Sequence, residues 1–100
     1  MINQEMKSII TSAVKKYSCL AIEVAKQIAK NAETGYKEYK TSKLVKDWFT
    51  HYEIPFSDNL GITGVRANLN FSDGPNIAML GELDSLVVPS HPDARSETSA

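Results

Sequence analysis

Asn76-Ile-Ala-Met-Leu-Gly-Glu-Leu-Asp-Ser-Leu86 is an apolar run that ends in two carboxylates spaced two residues apart. Ile77, Ala78, Met79 and Leu80 leave no polar alternation, which predicts a strand buried on both faces. Open α/β sheets place their chemistry at the carboxyl ends of such strands, so Glu82 and Asp84 are the first candidate site residues. If the strand continues through them, its period of two puts both acids on one side and turns Leu83 into the packing. Spacing alone also allows a plainer role, because acidic pairs at strand ends commonly cap a helix or anchor a loop.

Outward from that run, Val65, Ala67, Leu69 and Phe71 alternate with Arg66, Asn68 and Asn70, the pattern of a strand with one buried and one wet face. Ser72-Asp-Gly-Pro75 supplies the turn that would join the two strands into a hairpin. Ile54-Pro-Phe56 reads as a short strand, and Asp58-Asn-Leu-Gly61 as a turn. Pro55 biases Ile54 to extended backbone and so ends whatever helix precedes it.

Two helices come first. Ile10, Val14, Tyr17, Ala21, Val24 and Ile28 recur at helical spacing and predict a helix from Gln4 to Lys30, docked on a sheet. Leu44, Val45, Trp48, Phe49 and Tyr52 share one face of a second helix, which starts at Glu38 or Thr41, ends near Tyr52 and has Thr41 or Ser42 as its cap. Asn31-Ala-Glu-Thr-Gly35 separates the helices, with Gly35 free to take a positive φ. The expected fold class is therefore α/β: two N-terminal helices packed on a sheet, and a β-hairpin leading into a buried central strand. Residues 90–100 are polar, lack periodicity and are expected to form a flexible loop.

Composition narrows the function classes. The chain is 42% hydrophobic and 23% charged, which is ordinary globular composition. A net charge of -1 and a pI near 6.1 give no electrostatic footprint for nucleic acid. Lysines crowd the first half, where they fit the solvated faces of two helices. No apolar run approaches the roughly 20 residues that span a bilayer, and the N-terminus lacks the basic and apolar regions of a signal peptide. Cys19, the single cysteine, has no internal disulfide partner. Cytoplasmic residence, with no membrane or nucleic-acid partner, is the expectation.

Together with Glu33-Thr-Gly-Tyr-Lys-Glu-Tyr-Lys-Thr41, the run ending in Glu82 and Asp84 resembles the start of the aminoacylase and hippurate-hydrolase group of metal-dependent amidohydrolases. That group includes aminobenzoyl-glutamate and indole-acetyl-amino-acid hydrolases. Glu33, Gly35, Glu38 and Thr41 match its Pro-Glu-x-Gly, x-x-Glu, x-x-Thr signature, with Ala32 where the group has proline. These residues are expected to shape the turn between the helices and cap the second helix. In related di-metal peptidases the strand end reads His-x-Asp, with the aspartate orienting the metal-binding histidine. In the hippurate-hydrolase group an acid replaces that histidine, so Glu82 matches the acid and Asp84 the aspartate. Val87 and Val88 depart from the pattern by delaying the proline to Pro89.

The resemblance implies a partial di-metal exopeptidase-like catalytic domain, with residues 1–100 as its N-terminal part. Asp84 and Glu82 would stand at the catalytic centre. Divalent Zn, Mn or Co would be held by ligands of a His-Ala-Cys-Gly-His segment expected downstream of this sequence. The implied substrate is a small N-acyl amino acid or dipeptide-like conjugate, with a homodimer formed through a further downstream domain. The chain by itself is expected to be inactive.

Other motifs carry less. His91 could approach a metal but has only acids for company, and metal sites need several ligands. His51 reads as structural, the serines lack a histidine and acid constellation, and Gly61-Ile-Thr-Gly64 lacks the lysine of a phosphate-binding loop. The competing reading is a non-catalytic binding or interaction module derived from the same fold.

Overall fold

The computed structural model describes residues 3–70 and 73–94. They fall in two compact units, Met1–Lys30 and Asn31–Ala100.

The first unit is a single helix, α1, spanning Gln4–Lys30. Asn3 starts it: its side-chain oxygen accepts the N–H of Met6 at 2.8 Å, satisfying one of the amides that a helix N-terminus leaves without a partner. Glu5 in the first turn and Lys30 in the last complement the helix dipole. The bounds are those that the periodicity predicts. No residue of α1 is buried, and the forward part of its apolar stripe, Ile10, Val14 and Tyr17, lies exposed.

The second unit contains helix α2, Tyr39–His51, and an antiparallel hairpin of β1, Phe56–Leu60, and β2, Gly64–Ala67. The C-terminus of α2 is closed by a Schellman arrangement: Glu53 N–H donates to the carbonyl of Thr50 and Ile54 N–H to that of Phe49. Glu53 supplies the left-handed residue this needs, at φ 57°. Pro55 therefore follows the stop rather than making it. Phe49 faces Phe56 across the helix–hairpin contact with ring centroids 6.0 Å apart, and Lys46 reaches Asp58 at 3.6 Å.

The hairpin lies one strand earlier than the sequence predicts. Phe56 pairs with Ala67 and Ser57 with Arg66, and the ladder is interrupted before Leu60 pairs with Gly64. Asn59, at φ 55°, lies within that irregularity, so Asp58-Asn-Leu forms a bulged strand, and the turn moves on to Gly61–Thr63. Gly64 is required there, because a Cβ would collide with the carbonyl oxygen of Leu60. In β2, Val65 and Ala67 are half-buried and Arg66 exposed, as the alternation predicts, but Leu69 is exposed and Phe71 lies outside the described residues.

The buried central strand expected at 76–80 is not formed. Ile77, Met79 and Leu80 are 96%, 98% and 94% exposed, and the segment joins no sheet. The reason is physical. A strand buried on both faces needs neighbouring strands and covering layers, and the sheet among the described residues has only two strands. No hydrophobic side chain among the described residues is buried; the buried ones are Glu38, Thr41, Ser42 and Thr63. Of the expected terminal loop, the described part consists of two hydrogen-bonded turns, His91 N–H to Val88 and Ala94 N–H to His91, and 95–100 lie outside the described residues.

Candidate functional site

Glu33 organises the segment before α2. Glu38 occupies the N-cap position but makes no side-chain cap, and neither Thr41 nor Ser42 is the cap residue. Glu33 instead reaches forward: its carboxylate accepts the N–H of Lys40 at 3.0 Å, the N–H of Thr41 at 2.7 Å and the Thr41 hydroxyl at 2.9 Å. These are second- and third-residue amides of the helix, the pair that an N-cap side chain normally satisfies. Thr41 is buried by this arrangement.

Glu38 works in the other direction. One oxygen accepts the N–H of Tyr36 at 2.7 Å, and the other accepts the hydroxyl of Thr63 from the hairpin turn. Tyr36, at φ 63°, carries the left-handed conformation expected of Gly35, because the Glu38 carboxylate folds back onto its amide. A Cβ at Gly35 would stand at ordinary contact distance from both acids, 3.9 Å from Glu38 Oε1 and 4.0 Å from Asp84 Oδ2.

Those distances bring two parts of the sequence together. Ser85 N–H donates to the Glu33 carbonyl oxygen at 2.6 Å, so the acidic run is tied to the turn before α2. Between them lies an open cleft of about 380 Å³, lined by Gly35, Tyr36, Glu38, Thr63, Leu83 and Asp84 together with the hairpin turn. Along 82–85 the residues alternate exposed and half-buried, with both acids exposed. Asp84 lines the cleft, while Glu82 stands outside its lining.

The charges of both glutamates are stabilised. Burial works against ionisation of Glu33, but the amides of Lys40 and Thr41, the Thr41 hydroxyl and the Lys40 charge outweigh it, holding the carboxyl below the usual value of 4.5. For Glu38 the Thr63 hydroxyl is the largest influence, and with the nearby amides it overcomes burial and likewise lowers the pKa. Groups with depressed folded pKa values stabilise fully above the ordinary value and lose that contribution as pH falls through the lower folded value. The protection of the Lys40 and Thr41 amides, measured against their intrinsic exchange at each pH, should therefore fall below about pH 4.5 and stay constant above it. Glu33→Ala should cost about 1 kcal/mol of stability, as loss of a helix cap does, and remove most of that acid sensitivity. Thermal unfolding and exchange of the natural-length protein check both.

His91 is engaged locally, its Nδ1 accepting the N–H of Asp93 at 3.1 Å. His51 packs edge-on against Trp48 and Tyr52. Among the described residues, no group of three or more His, Cys, Asp or Glu side chains could hold a metal ion. No helix is long and apolar enough to cross a membrane, again among the described residues. Thr63 was not legible as a site residue, because its partner lies 25 positions away. A capping carboxylate at Glu33 has a weak local signal: Glu38 is a poor N-cap residue, so the α2 amides need an acceptor from elsewhere.

No family model matches this chain, and no solved structure matches it. Over 67 residues it is 28% identical to IAA-amino acid hydrolase ILR1-like 5 of Arabidopsis thaliana, covering 67% of this chain and 15% of that protein. IAA-amino acid hydrolase ILR1-like 2 of the same plant matches with the same identity and coverage. Putative amidohydrolase YhaA of Bacillus subtilis (strain 168) is 26% identical over 73 residues, 72% of this chain and 18% of that protein. The chain spans less than a fifth of the length of these curated relatives, and its similarity is to proteins named as hydrolases.

Proposed function

We propose that this chain contributes part of the active-site framework of an amidohydrolase, acting within a longer polypeptide on the amide bond of N-acyl amino acids or short peptide-like conjugates. One observation carries the reading: the 33–41 turn and the 82–85 acidic run, far apart in sequence, meet at a single cleft with Asp84 on its wall. The named relatives, hydrolases of IAA-amino acids and an amidohydrolase, supply the reaction class.

In this reading Asp84 is the site residue of the chain, its carboxyl group on the wall of the cleft beside the reacting centre. It can orient a neighbouring donor or hold a ligand group in one direction. Glu82, exposed beside it, has the lesser role. Divalent zinc, manganese or cobalt is the proposed cofactor, but the side chains described here do not make a metal site by themselves. The ions would need ligands from other parts of the protein, as would a homodimer interface. Cytoplasmic residence fits a chain whose single cysteine has no internal partner.

The test is hydrolysis by the natural-length protein of hippurate and a panel of N-acetyl amino acids, after chelation and again after divalent metal is restored. Release of the free amino acid that depends on metal supports the reading. No release from any substrate, or release undiminished by chelation, contradicts it.

A further inference from the structure

We infer that Glu38 is a positioning residue for Asp84, acting through Thr63 and the turn at 33–38. The inference rests on the reading that Asp84 works in the cleft. Glu38 is a carboxylate only 6% exposed, and both of its oxygens are committed to internal donors, Tyr36 N–H and the Thr63 hydroxyl. Ionised side chains are rarely buried this far unless their hydrogen bonds hold something in place.

What it holds is a turn with a conformational cost. Thr63, itself buried, follows Ile62 at φ 82°, and β-branched residues disfavour that region strongly. Backbone in such a state persists only when its surroundings over-determine it. Two features do so here: the close approach that Gly64 permits to Leu60, and the Thr63 bond to Glu38.

The second oxygen of the same carboxylate reaches the other wall, accepting Tyr36 N–H. The turn is closed by Lys37 N–H donating to the Thr34 carbonyl and braced by Glu38 on Tyr36 N–H, and the Glu33 carbonyl accepts Ser85 N–H, the amide immediately after Asp84. Hairpin, turn and acidic run are thus linked in series, and Glu38 is the joint between the first two. Releasing Thr63 lets the turn shift, and Asp84 shifts with the 82–85 segment that the turn anchors.

The experiment uses the natural-length protein, with hydrogen exchange read by mass spectrometry on peptides covering 82–86 and 44–51, alongside kcat and KM. Thr63→Val removes the donor and keeps the shape. It should speed exchange at 82–86 about 5–10-fold, leave 44–51 unchanged, and lower kcat more than KM changes. Thr63→Ser, which keeps the hydroxyl, should restore both readouts. Wild-type exchange at 82–86 in Thr63→Val overturns the inference, and so does an equal rise at 44–51, which signals general loosening. Should Thr63→Val fail to fold, Glu38→Ala, which removes both acceptors, decides: faster exchange confined to 82–86 supports the inference and an unchanged rate overturns it. If no N-acyl substrate is cleaved, the amidohydrolase reading falls, while the exchange comparison still decides whether Glu38 positions 82–86.

Discussion

The 100-residue chain purified alone should unfold without a sharp cooperative transition and should bind a hydrophobic dye in buffer. Its described residues bury no hydrophobic side chain, while Ile77, Met79 and Leu80 are each more than nine-tenths exposed. Fully burying each of these three is worth about 1.5–3 kcal/mol. Their combined contribution is comparable with the whole stability of a typical domain, roughly 5–15 kcal/mol. The hairpin is also short, and an isolated two-stranded sheet is marginal in water. The expected calorimetric trace is broad and low, with far-ultraviolet dichroism dominated by α1 and α2. A single sharp transition with dye binding absent would show that the apolar run is buried in solution by this chain itself.

Asp84→Asn in the natural-length protein should lower turnover of an N-acyl amino acid about 10–100-fold with the fold intact, the usual loss when a group that orients a reacting centre is neutralised. Asparagine keeps the shape and a hydrogen-bond acceptor, so the change isolates charge. Position supports the assignment, because Asp84 lines the cleft and is anchored through the next residue, Ser85, to the Glu33 carbonyl. Glu82→Gln should cost less, since Glu82 lies outside the cleft lining. Steady-state kinetics with a thermal melt on each variant separates the effects. Near-normal turnover in Asp84→Asn would make that residue a loop anchor.

What could be read in the sequence was what short-range forces decide. The α1 stripe from Ile10 to Ile28 specifies a helix whatever lies beside it, and the structure has that helix from Gln4 to Lys30. The face of Leu44, Val45, Trp48 and Phe49 did the same for α2. Strand pairing depends on distant neighbours, so the hydrophobicity of 76–80 could indicate what the segment would bury but not whether anything covers it. The turn at 61–63 was misplaced because the Asn59 irregularity extends β1 past residues that read as turn formers.

The site divides along the same line. Glu33, Glu38 and Thr41 were legible as shapers of the turn and cap, and the hydrogen bonds at the start of α2 show Glu33 doing the capping. That Glu38 turns away to the hairpin and that Ser85 docks on Glu33 are long-range facts, with no pattern in the intervening residues to announce them.

The most direct test of the cleft as an active site is a crystal structure of the natural-length protein with an N-acyl amino acid, or its product, bound. The ligand should lie in the cleft beside the Asp84 carboxylate, with Ser85 N–H still donating to Glu33. A ligand seated elsewhere, with Asp84 facing solvent, would contradict the assignment of this cleft.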